Sequence, residues 1–78
     1  MSRYEASFEI DSKTDSYAAR RILERVYDTV REESRSVRDG SEDTTTLLQE
    51  FKTLRDAAKR PTTGKLTITY ERYDDLDD

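Results

Sequence analysis

The sequence predicts an α+β domain of order β-α-α-β, a helical hairpin packed on a small antiparallel sheet. Three observations carry this. Residues 4–10 and 65–73 alternate apolar and polar side chains with a period of two. The stretch Ser16–Val37 repeats apolar residues at three- and four-residue steps. A second amphipathic run lies between Gly40 and Pro61, so both helical runs fall between the two strands.

In the first strand Tyr4, Ala6, Phe8 and Ile10 alternate with Glu5, Ser7 and Glu9, which gives one apolar and one polar face. Asp11 to Ser16 break the pattern with side chains that accept backbone N–H bonds. Ser12 and Asp15 have the spacing of a capping box, and Asp15 or Ser16 would serve equally as the cap. In the first helix Ala19, Ile22, Leu23, Val26, Val30 and Val37 form one stripe, with Tyr27 at its margin. Gly40 suits the left-handed conformation that ends helices.

Ser41, Glu42 and Asp43 open the second helix, where a hydroxyl cap and two acids suit the positive end of its dipole. Leu47, Leu48, Phe51, Leu54, Ala57 and Ala58 form its apolar face. Lys59 and Arg60 fall in its last turn, and Pro61 ends it because proline lacks the N–H that the ladder needs. After the turn Thr62-Thr63-Gly64, the second strand puts Leu66, Ile68 and Tyr70 on one face and Thr67, Thr69, Glu71 and Tyr73 on the other. Residues 1–73 form the domain, and 74–78 form an acidic, solvated tail.

A chain of 78 residues, 32% hydrophobic and 41% charged, builds a thin core. Such a core seldom supplies more than about 3–5 kcal/mol. Without Cys or His, neither disulfides nor the usual zinc ligands add to it. Two strands are marginal by themselves, and the first helix, at about 33 Å, outreaches strands of roughly 25 Å. A homodimer is therefore expected, with a second subunit covering the surplus stripe and extending the sheet to four strands.

Ten Asp, eight Glu, ten Arg and four Lys leave a net charge of −4. This acidic, Arg-biased balance points to a salt-rich cytoplasm, where screening relieves self-repulsion. No apolar run approaches a membrane span, and the residues after Met1 lack the apolar core of a signal peptide. The expectation is a cytoplasmic protein with no membrane partner.

The first strand, the Ser16-Tyr-Ala-Ala-Arg-Arg-Ile-Leu23 helix start, the Lys65-Leu-Thr-Ile-Thr-Tyr-Glu71 strand and the acidic tail together resemble a family of small haloarchaeal proteins with no assigned activity. The resemblance implies an archaeal, halophilic setting and carries over no site residues.

Few residues stand out as chemistry. Glu33 lies about 40° from the centre of the apolar stripe, either a carboxylate that binds a ligand or pairs across a subunit boundary, or one that stretches past its neighbours to water. Arg20, Arg31, Arg35 and Arg38 fall within about 60° of one another on one side of the helix. Such a stripe can grip phosphates, but Glu24 lies on the same face and Asp28 at its border, as on a solvated, ion-paired face. With an acidic chain and no nucleic-acid motif, nucleic acid is disfavoured as a partner. No nucleophile–base pair, phosphate loop, calcium loop or cofactor motif is present. The expected function is a non-enzymatic homodimeric interaction or regulatory module whose protein partner no motif specifies. Its alternatives are a nucleic-acid-associated factor using these arginines, or a small-molecule-binding subunit using Glu33 and tyrosines in a dimer cleft. No catalytic, metal or cofactor residue is assigned.

Overall fold

The computed structural model describes residues 1–37 and 42–75, with side chains described throughout except at 34–37 and 42–44. The elements are β1 (Ser2–Ile10), α1 (Lys13–Val37), α2 (Glu42–Ala57) and β2 (Gly64–Arg72). This is the expected β-α-α-β order in an α+β domain. The strands pair antiparallel in one unbroken register from Ser2↔Arg72 to Ile10↔Gly64. Directly opposed residues share a face, so Tyr4 stands opposite Tyr70, Ala6 opposite Ile68 and Phe8 opposite Leu66. These six, with Ile10, make the apolar face. On the other face Ser7 and Thr67 hydroxyls meet at 3.2 Å, and the Thr69 hydroxyl donates to Glu5 Oε2 at 3.2 Å.

The start of α1 selects among the caps open in the sequence. Ser12 is the cap: its Oγ accepts from Asp15 N at 3.1 Å, and Asp15 Oδ2 accepts from Asp11 N at 3.0 Å. The first bond satisfies a donor that the helix start would leave unpaired, and the second ties the Asp15 carboxylate back to the residue before the cap. The helix therefore begins three residues before Ser16. The proposed stop at Gly40 and cap at Ser41 lie outside the described residues. The α2 ladder ends at Ala57, where the Ala58 N–H is shared between the Leu54 and Arg55 carbonyls at 3.2 Å each and Lys59 N donates to Asp56 O at 3.2 Å. This tightened turn places Lys59 and Arg60 just beyond the helix, so Arg55 is the cation of its last turn.

The core sits where the hairpin is tied to the sheet. Ala19 is the one buried apolar residue among those described, at 4% exposure, with Ser16 buried beside it. Small side chains at these two positions line the base of a groove between the helices and the sheet. Both connections, Asp11-Ser12 and residues 58–63, leave the same end of the sheet, so the hairpin is anchored there alone. The hairpin covers the apolar face unevenly. Phe8, Ile10 and Leu66 are half-buried, whereas Tyr4, Ile68 and Tyr70 are all more than half exposed. Along the helices the stripe residues Ile22, Leu23, Val26 and Val30 are half-buried, as are Leu48 and Phe51, while Leu47 and Leu54 stand exposed. The radius of gyration, 14.8 Å, exceeds the roughly 11.5 Å of a compact 78-residue domain.

Candidate interaction surface

Two apolar features face solvent. The first is the uncovered half of the sheet. Tyr4 and Tyr70 stack across the strands with ring centroids 6.3 Å apart and planes at 25°. The Arg72 guanidinium lies 5.9 Å from the Tyr4 ring. Ile68 and Ala6 continue the patch toward the hairpin, and no charged side chain interrupts them on this face. The second feature is the groove of about 240 Å³ between sheet and hairpin. Ile10, Ala19, Leu23, Leu54 and Leu66 line it, with Arg60 and Lys65 among its cationic residues. Together these make a continuous apolar strip from the far end of the sheet to α2.

The helices hold each other through a cluster that periodicity did not single out. Arg55 of α2 places its guanidinium carbon 4.3 Å from the centre of the Tyr27 ring of α1. Arg31, one turn on from Tyr27, lies 5.8 Å from the same ring. Arg55 is oriented by Asp56, whose Oδ1 accepts from Arg55 Nε at 3.1 Å and Nη2 at 3.0 Å. Lys59 Nζ sits 3.3 Å from the same oxygen. The Arg55 hydrogen bond holds the Asp56 carboxyl below the usual carboxylate range against the opposing effect of desolvation, with Lys59 adding to the lowering. Tyr27 at the margin of the α1 stripe was the only sequence signal for this cluster.

The arginine stripe is engaged with its own helix where it is described. Arg20 is paired with Glu24 at 3.1 Å, an i,i+4 bridge. Arg31 lies 3.9 Å from Asp28 and over Tyr27. The Arg35 side chain and the whole of Arg38 lie outside the described residues. Glu33 is exposed on α1. The structure brings none of Arg20, Arg31 and Glu33 to the apolar strip. Among the described residues no group of acids is placed to hold a metal ion, and no helix is long and apolar enough to cross a membrane.

Comparison with protein-family models, with curated proteins and with solved structures found no match.

Proposed function

We propose that this chain is one subunit of a homodimeric, non-enzymatic protein-interaction or regulatory module working in a salt-rich cytoplasm. The observation that carries this reading is the size of its surface. The chain exposes 6807 Å², whereas a compact monomer of 9.1 kDa exposes about 4,900 Å². The surplus of about 1,900 Å² is more than twice the roughly 800 Å² that each partner contributes to a standard interface. Doubled for two copies it falls within the roughly 2,000–5,000 Å² of obligate homodimers. Sedimentation at micromolar concentration in molar KCl is expected to give twice the chain mass. A chain that sediments singly and still unfolds cooperatively overturns the reading.

The salt-rich setting rests on 18 acidic against 14 basic residues and on arginine outnumbering lysine ten to four. Two chains of charge −4 repel as they associate, and salt shortens the range of that repulsion from about 10 Å at tenth-molar to about 3 Å at molar strength. The melting temperature is therefore expected to climb steadily as KCl is raised to molar levels. A melting temperature indifferent to KCl removes the halophilic part of the proposal.

A further inference from the structure

We infer that the uncovered half of the sheet, centred on Ile68 and flanked by Tyr4 and Tyr70, is the seat of a second copy of this chain, packed face on face about a two-fold axis. The inference rests on the homodimer reading and says where the two copies meet.

Pairing along the strand edges, the other way to join two such sheets, satisfies backbone groups but leaves this face in water. Ile68 is 53% and Tyr70 62% exposed. A four-stranded sheet formed edge to edge would double this wet apolar area rather than remove it. Face-on-face packing buries it in both copies at once, with inner faces about 10 Å apart as in sandwiches. The face is also suited to meet itself. Its middle, Ala6 opposite Ile68, is uncharged, so a two-fold axis there brings no like charges together. The stacked Tyr4–Tyr70 pair supplies broad, rigid contact area, and Arg72 over Tyr4 stays at the rim.

A second copy fits better than an unrelated protein because of the surface surplus. The chain as a whole exposes about 1,900 Å² more than a compact monomer of its mass, enough for the roughly 800 Å² that a standard interface takes from each copy. The copy made beside it is the partner always present at matching amount.

The test uses the full chain and the fact that it contains no cysteine. Ile68→Cys and Thr67→Cys put a single thiol on the apolar and the polar face of the same strand. A bis-maleimide spanning about the 10 Å of packed sheets is expected to convert Ile68→Cys largely to covalent dimer and to leave Thr67→Cys as single chains. Ile68→Lys is expected to sediment as one chain at a concentration where the parent and Thr67→Lys sediment as two. If the parent is a dimer but Thr67→Cys cross-links as readily as Ile68→Cys, the face is not the seat, while the homodimer reading stands. If the parent sediments as a single chain, both fall. Should Ile68→Lys fail to fold, the cysteine pair decides alone, since Ile68→Cys adds no charge.

Discussion

Ala19→Lys is expected to leave the chain largely unfolded at room temperature. Ala19 is 4% exposed, the most buried apolar residue described, at the junction where α1 meets the end of the sheet. Lysine is nearly as good a helix former as alanine, so the effect does not come from backbone propensity. It comes from forcing a long side chain and its charge between the hairpin and the end of the sheet. Overpacking alone costs about 1–3 kcal/mol, and a poorly solvated charge adds to it. The sum is comparable with the roughly 3–5 kcal/mol that a core of this size supplies. Thr29→Lys is the matched control. Thr29 is exposed on the same helix, where lysine is better tolerated than threonine, and the variant is expected to melt within a few degrees of the parent. Circular dichroism and thermal melts at one fixed protein concentration check this, because association makes stability concentration-dependent. If Ala19→Lys melts like the parent, the junction is not the core.

Both strands and their pairing were legible in the sequence because a period of two commits every second residue to one face, and an antiparallel pair then has few workable registers. Phe8 opposite Leu66 and Tyr4 opposite Tyr70 obey that alternation, which allows shifts of two residues and does not by itself choose among them. The helix start was legible only as a cluster of caps. Ser12, Asp15 and Ser16 all bond well to backbone N–H groups, and the choice of Ser12 is made by the bonds at Asp15 N and Asp11 N. How far the hairpin covers the sheet was not legible at all. Periodicity says which face of a helix is apolar, not the angle at which that face meets another element. The arginine stripe illustrates the same limit. Arg20 and Glu24, four residues apart, are readable as partners from spacing alone. Arg55 reaching Tyr27 depends on how the two helices are turned toward each other, and neither stripe alone sets that.

That contact supplies the second large effect. Tyr27→Ala is expected to destabilise the chain by about 2–3 kcal/mol, below the roughly 3–5 kcal/mol of a fully buried aromatic because Tyr27 is half-buried. For a domain of this size each kcal/mol lowers the melting temperature by about 4–8 °C. Two contributions make up the loss. One is the apolar contact of the ring between α1 and α2. The other is the attraction between its face and the Arg55 guanidinium at 4.3 Å, with Arg31 on the ring more distantly at 5.8 Å. Cation–π pairs range from about 0.5–1 kcal/mol when exposed to about 2 when desolvated. The Arg55 side chain is 23% exposed and held in place by Asp56, which puts this pair toward the upper part of that range. Tyr27→Phe keeps the ring face and is expected to stay within about 0.5 kcal/mol of the parent, a change typical of a mild surface substitution. Tyr27→Leu keeps the apolar bulk and loses the face. Combined with Arg55→Gln in a double-mutant cycle, it isolates the attraction, and a coupling of about 1 kcal/mol is expected. A coupling near zero would mean that the ring holds the hairpin by apolar contact alone and that Arg55 serves only its bond to Asp56.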